Sequence, residues 1–159
     1  MKILLLGKNA QDIEELVKNL GFEIVNQNPD VILSYGGDGT LLSAERQYPG
    51  IPKLPLRNSQ VCNKCSEHQD EIVLKKLLDG KLKLKEYKKL ETEILYKPIF
   101  ALNDFVIRNV NPTHTVRFKT SQTGDKLYIG DGVVISTPFG STGYFKSITQ
   151  ESFENGFGV

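Results

Sequence analysis

The chain has 159 residues, of which 39% are hydrophobic, and its 20 basic and 19 acidic side chains leave a net charge of +1. This length fits one domain or two small ones, and the near balance of charge gives no footprint of nucleic-acid or anionic-membrane binding. No apolar run approaches the ~20 residues of a membrane-spanning helix, so a membrane protein of that kind is not expected.

Met1-Lys2-Ile3-Leu4-Leu5-Leu6 runs straight into Gly7-Lys8-Asn9 without a signal peptide's cleavage region, and reads as a first strand covered on both faces. Residues 11–20 place Ile13, Leu16, Val17 and Leu20 at helical spacing, with Gly21 as the stop. Residues 22–25 suit a short second strand, and Pro29-Asp30 leads into a third at 31–35. A helix-like segment follows at 41–48, so this half reads as a parallel, Rossmann-like α/β domain. Such sheets bind ligands at the carboxyl ends of their strands.

At that strand end stands Gly36-Gly37-Asp38-Gly39-Thr40. Glycines between a strand and a helix permit positive φ angles and close approach of the backbone to a ligand, and a helix N-terminus favours an anion. Gly36, Gly37, Gly39 and Thr40 are therefore candidate phosphate contacts. Asp38 would repel a phosphate, so its presence there calls for another role. It could hold a metal ion, accept a proton from an attacking hydroxyl, or grip a sugar hydroxyl. The plainer alternative is that Asp38 caps the helix.

Residues 49–56 carry three prolines around a strand-like run. Cys62, Cys65 and His68 follow in C-x-x-C-x-x-H spacing, half of a zinc signature and a weak zinc candidate. The alternatives are a redox pair or two ordinary thiols near a helix start. Two cysteines do not make a secreted disulfide framework, so a cytoplasmic location is expected. Ser66 and Gln69 have capping-box spacing and would open a helix through Ile72, Val73, Leu77 and Leu78 that stops at Gly80.

From Lys81 the period changes to two. Residues 81–85, 91–96, 100–108, 115–120 and 127–136 are strand candidates, with turn signals at Asn111-Pro112 and Thr123-Gly124-Asp125. The chain thus divides into an α/β domain at 1–80 and an antiparallel, β-sandwich-like domain at 81–159. Lysines crowd residues 75–89, but interspersed acids make this a solvated face.

Two further stretches lie in the β half: Leu102-Asn103-Asp104-Phe105-Val106-Ile107, and the run from Gly130-Asp131-Gly132 through Ser136-Thr137-Pro138-Phe139-Gly140-Ser141-Thr142-Gly143-Tyr144. With the Asp38 loop, and in this order, they resemble the NAD kinase family, marked by G-G-D-G-T, an N-[E/D] pair and D-G-x-x-x-S-T-P-x-G-S-T-x-Y. The resemblance covers residues 1 to about 150. It implies an α/β domain and a β-sandwich-like domain with the active site between them, phosphorylation of the adenosine ribose 2′-hydroxyl of NAD, and homo-oligomers. Asp38 matches the loop carboxylate taken as general base. Gly36, Gly37, Gly39 and Thr40 match the phosphate cradle, and Asn103 and Asp104 the pair that binds the dinucleotide. Asp131, Thr142, Tyr144 and Ser147 match positions lining the NAD site. The donor would be ATP, with Mg²⁺ or a similar hard cation on its phosphates; polyphosphate as donor and NADH as acceptor stay open.

Each residue also has a plainer reading: Asn103, Asp104 and Asp131 as turn residues, Tyr144 as core or interface. The chain also departs from the family. Arg57-Asn58-Ser59-Gln60-Val61-Cys62 stands where N-x-G-x-L-G-F is usual, and Ser147-Ile148-Thr149-Gln150 stands where S-A-G-G-P is usual. The family's further C-terminal strands have no counterpart, so a compact variant or a fragment is expected, with an open sheet edge that self-association could cover. Two other functions compete. One is a non-catalytic NAD- or nucleotide-binding protein. The other is a lipid or sugar kinase sharing G-G-D-G, which would lack the Asp131–Tyr144 pattern.

Overall fold

The computed structural model describes residues 1–66, 68–121 and 124–159; Glu67, Gln122 and Thr123 lie outside the described residues, and with Thr123 part of the turn read at 123–125. Two compact units make up the chain, Met1–Lys85 and Glu86–Val159. Among the described residues no helix is long and apolar enough to cross a membrane.

The first unit is built on a four-stranded parallel sheet of β1 (Lys2–Leu6), β2 (Glu23–Ile24), β3 (Val31–Gly36) and β4 (Lys53–Arg57), in the order β2-β1-β3-β4. Side chains alternate across a strand, and both faces here are covered. Ile3, Val31, Leu33 and Leu56 meet Val17 of α1 (Glu14–Asn19) and Val73 and Leu74 of α3 (Asp70–Leu78) on one face. Leu4 and Ile32 meet Ala44 of α2 (Asp38–Gln47) on the other. Burial of each large aliphatic side chain contributes about 1.5–3 kcal/mol, so this central layer is the main source of the unit's stability. Pro55 is tolerated because β4 lies at the sheet edge. Lys53, almost fully buried, pairs with Glu45 and donates to the Tyr48 carbonyl, tying β4 to the last turn of α2.

Three expectations need correction here. The first helical segment is split, a 3₁₀ turn at Ala10–Ile13 followed by α1. The Ser66/Gln69 pair does not cap α3: Gln69 itself is the N-cap without a side-chain bond, and Ser66 Oγ accepts the His68 N–H at 3.2 Å. Residues 81–85 form no strand; Leu82 packs back onto the first core while Leu84 is exposed.

The second unit holds antiparallel two-stranded ladders. β5 (Leu90–Ile94) pairs with β6 (Lys97–Ala101), β7 (Asp104–Arg108) with β10 (Gly132–Ser136), and β8 (Val116–Phe118) with β9 (Tyr128–Gly130). The run read as one strand at 100–108 is broken at Leu102-Asn103, and the run at 127–136 is broken at Asp131. The β5–β6 turn puts Leu95 and Tyr96 at φ of 51° and 63°. A short helix that the period-two reading did not anticipate, α4 (Tyr144–Thr149), follows a 3₁₀ turn at Gly140–Thr142. Phe145 of α4 packs edge-on against Phe153, and Ser136 pairs with Gly158 beside them.

Candidate functional site

β3 is buried from Val31 to Ser34 and delivers Gly36 and Gly37 directly to α2, whose first residue is Asp38. The positive φ angles expected at Gly36, Gly37 and Gly39 are absent; Gly37 is extended, at φ −110° and ψ −169°. At Gly36 and Gly37 the requirement is space. A Cβ on Gly36 would collide with Thr40 Oγ1, and one on Gly37 would come within 2.8 Å of Ser59 Oγ. The glycines let strand, helix and the 57–61 loop converge at one point. The Asn58 N–H donates to the Gly36 carbonyl at 3.0 Å, and the Arg57 guanidinium holds the Ser59 and Gln60 carbonyls.

Asp38 does not cap α2: Gly37 is the N-cap, and no side chain bonds the free N–H groups there. The carboxylate instead faces the 62–65 loop. Oδ2 accepts the Asn63 N–H at 3.2 Å and its side-chain amide at 3.0 Å, while Oδ1 accepts the Lys64 N–H at 3.1 Å. Burial pushes the Lys64 ammonium below its usual range, and the Asp38 charge beside it pulls the other way. Asn63 and Lys64 were missed as partners of Asp38; the Cys62-Asn63-Lys64-Cys65 motif marked the place, but as a metal candidate.

That candidate is corrected. Cys62 and Cys65 are joined by a disulfide, and a zinc site needs thiolates. No group of three or more potential metal ligands occurs among the described residues. Cys62 Sγ lies 3.4 Å from Asp38 Oδ1, a contact without a hydrogen bond because a disulfide sulfur carries no proton.

Beside α2 a cavity is lined by Gly7, Lys8, Gly39, Thr40, Ser43 and Gln47. It runs from the end of β1 along α2 from Gly39 to the last residue, Gln47, and at its Gly39 end the helix dipole favours an anion. Gly7 is required there: its φ is +150°, and a Cβ would strike the Tyr35 carbonyl. Lys8 and Ser43 extend the cation and hydroxyl set beyond the residues read from sequence.

In the second unit the structure brings together Asn103 and the 136–143 run. Thr137 N–H donates to the Asn103 carbonyl at 2.8 Å, and Thr137 Oγ1 to the Leu102 carbonyl at 2.5 Å. Thr137 Oγ1 also accepts the Gly140 N–H at 3.0 Å. Gly140 lies so close to Asn103 that a Cβ would overlap the Asn103 carbonyl. Buried Ser141 donates to the Pro138 or Phe153 carbonyl and accepts the Phe153 N–H at 3.2 Å. Asp104 opens β7 opposite Ser136, and burial pushes its carboxyl above the usual range. Thr142, Tyr144 and Ser147 are exposed along the segment into α4, where Ser147 Oγ donates to the Tyr144 carbonyl at 2.7 Å. Asp131 is exposed in the bend between β9 and β10, and among the described residues it forms no hydrogen bond to Asn103 or α4.

No family model matches the chain. An NAD kinase of Sulfurisphaera tokodaii is 34% identical over 160 residues, spanning 94% of this chain and 63% of that protein. NAD kinase 2 of Bacillus subtilis is 31% identical over 89% of this chain and 57% of its own length. Among solved structures, an NAD kinase from Archaeoglobus fulgidus in complex with ATP superposes with a TM-score of 0.71 at 22% identity, over 98% of this chain and 67% of that one. A yeast NADH kinase complexed with NADH superposes with a TM-score of 0.60 at 18% identity, over 91% and 50%. These structural likenesses show the fold. The chain spans 63% and 57% of the length of the two curated relatives. Over about nine-tenths of its own length, the chain is similar in sequence to proteins named NAD kinase.

Proposed function

We propose that this chain transfers a phosphoryl group from ATP to the adenosine ribose 2′-hydroxyl of NAD, giving NADP, with Asp38 as the group that accepts the hydroxyl proton. The observation that carries the reading is the place of Asp38. It is the first residue of α2, directly after a strand buried on both faces, in a chain similar in sequence to proteins named NAD kinase. A carboxylate fixed at a strand-to-helix junction can take a proton as the hydroxyl attacks. The α2 N-terminus, with Gly39, Thr40 and Lys8 in the adjoining cavity, supplies the donors that a chain of phosphates requires. Phosphoryl transfer depends mainly on positioning and charge stabilisation, which suits a site made of backbone N–H groups, one carboxylate and one lysine.

Mg²⁺ fits this donor set as a cation carried on the donor's phosphates. It takes one or two carboxylates with phosphate oxygens and waters, and Asp38 is the acidic residue of the loop. When bound it neutralises charge on the transferring group. Asn103, set by Thr137 and Gly140, and Asp104, Thr142, Tyr144 and Ser147 form the dinucleotide-binding part of the reading, with Asp131 toward the nicotinamide end. Burial pushes the Asp104 carboxyl above its usual range. The two units correspond, in this reading, to the family's α/β domain and to part of its β-sandwich-like domain. Association into homo-oligomers and a cytoplasmic location also belong to it.

A second reading, a protein that binds NAD without turning it over, is favoured by one observation: both oxygens of Asp38 are already engaged by Asn63 and Lys64. The test is NADP formation from NAD, ATP and Mg²⁺, in the presence of a dithiol, by the wild type and by Asp38→Asn. A loss of about 10²–10⁴-fold in the variant, the range of a general base, supports the kinase reading. Equal turnover removes Asp38 from the mechanism. NAD bound without NADP from the wild type selects the second reading.

A further inference from the structure

The kinase reading leaves the Cys62-Asn63-Lys64-Cys65 loop without a role. Its geometry is specific. A carboxylate offers about four lone-pair positions. Three of those on Asp38 are filled by the two N–H groups and the amide of Asn63 and Lys64, and Cys62 Sγ presses on Oδ1 at 3.4 Å. All four contacts come from the residues between, or at one end of, the disulfide. A hydroxyl therefore reaches Asp38 only where this loop moves aside.

No helix or strand holds residues 58–66. The disulfide is the covalent element that fixes the loop, and Cys65 Sγ rests 3.8 Å from the Gly36 carbonyl at the other end. Both cysteines are only partly buried, so a reagent can reach them.

We propose that Cys62 and Cys65 are a thiol–disulfide exchange site whose reaction partner is a dithiol, and that the disulfide form closes the loop over Asp38. This rests on the reading of Asp38 as proton acceptor. A thiolate of the dithiol attacks one sulfur, the S–S bond breaks, and the released cysteine thiolate takes up a proton. The reagent's second thiol then displaces the mixed disulfide. Two electrons and two protons pass to the protein, which ends with two cysteine thiols, and the reagent ends as its own disulfide. With the two ends untied, Asn63 and Lys64 can leave the carboxylate, and Oδ2 is open to a hydroxyl.

The experiment compares the full chain equilibrated with air and the same chain treated with dithiothreitol, by two readouts. The first is amide hydrogen exchange at Asn63 and Lys64, expected at least tenfold slower in the disulfide form. The second is NADP formation from NAD, ATP and Mg²⁺, expected at least tenfold faster in the dithiol form. A Cys62→Ser/Cys65→Ser variant is expected to match the reduced wild type and to ignore dithiothreitol; should it fail to fold, the two wild-type forms still decide the matter. Equal amide exchange in both forms, alkylation of both cysteines in the air-equilibrated protein, or equal NADP formation overturns the proposal. Slower exchange in the disulfide form with NADP formed by neither would leave the loop closure standing and remove the kinase reading instead.

Discussion

The two units handle their apolar residues in opposite ways. In Met1–Lys85 a parallel sheet is covered on both faces, and Ile3, Ile32, Leu33, Leu56 and Leu74 are buried almost completely. In Glu86–Val159 the buried hydrophobics among the described residues are Phe139 and Phe145, while Leu95, Tyr96, Phe100, Val106, Ile107 and Ile129 stand exposed. A two-stranded ladder is marginal alone in water, and three of them share this unit. The difference shows two ways of holding a site. The first unit fixes Asp38 with a dense core beneath it. The second fixes Asn103 with a local network of hydroxyl and backbone bonds around Thr137, Gly140 and Ser141.

The sharpest way to break this contrast is to damage the first core. Leu33→Ala removes a fully buried side chain from the central strand, and a loss of about 2–5 kcal/mol is expected. Chemical denaturation read by amide exchange should show β1 and β3 losing protection, with little change in β7 and β10. Equal loss in both units would mean that the chain unfolds as one cooperative body. Next in size is Gly140→Ala, which forces a methyl group onto the Asn103 carbonyl. Overpacking of this kind costs about 1–3 kcal/mol. The expected result is weaker NAD binding by calorimetry, with the thermal stability of the first unit unchanged.

The smallest effect has the opposite sign. Leu95 and Tyr96 occupy both central positions of a two-residue hairpin turn at positive φ, where Asn-Gly is favoured. Leu95→Asn with Tyr96→Gly should stabilise the second unit by a few tenths to about 1 kcal/mol, since bulky residues are strained at positive φ. A lower melting temperature for that pair of substitutions would show that the two exposed side chains are covered by something in solution.

What could be read from the sequence follows the same division. Lys2–Leu6 and Val31–Gly36 announce themselves as apolar runs because both faces of the sheet are covered, and the Asp38 loop is placed by the strand before it. The strand pattern in the second unit is legible too, but its breaks show only in the plainer reading of Asn103 and Asp131 as turn residues. Asn103 and Asp131 interrupt β6–β7 and β9–β10 where a simple alternation continues through. Residues 81–85 alternate well yet find no partner strand, since alternation measures amphipathicity and not pairing. α4, six residues long, is too short to display a helical period. The partners of Asp38 lie about two dozen residues away along the chain, a separation at which local pattern says nothing. The disulfide stood open only as the redox alternative to zinc, because C-x-x-C spacing serves metal and redox chemistry alike, and only the fold shows which atoms face Asp38.

The Lys53–Glu45 pair has a mechanical consequence. α2 is ten residues long, a rod of about 15 Å. At its far end Lys53 grips both Glu45 and the Tyr48 carbonyl, in surroundings too buried for salt to screen strongly. At its near end Asp38 is gripped by a loop closed with a reversible bond. The helix is thus a beam built into a wall at one end and held by a catch at the other. Releasing the catch frees the tip and leaves the beam where it was, so the loop can open without a search for the position of Asp38 each time it closes.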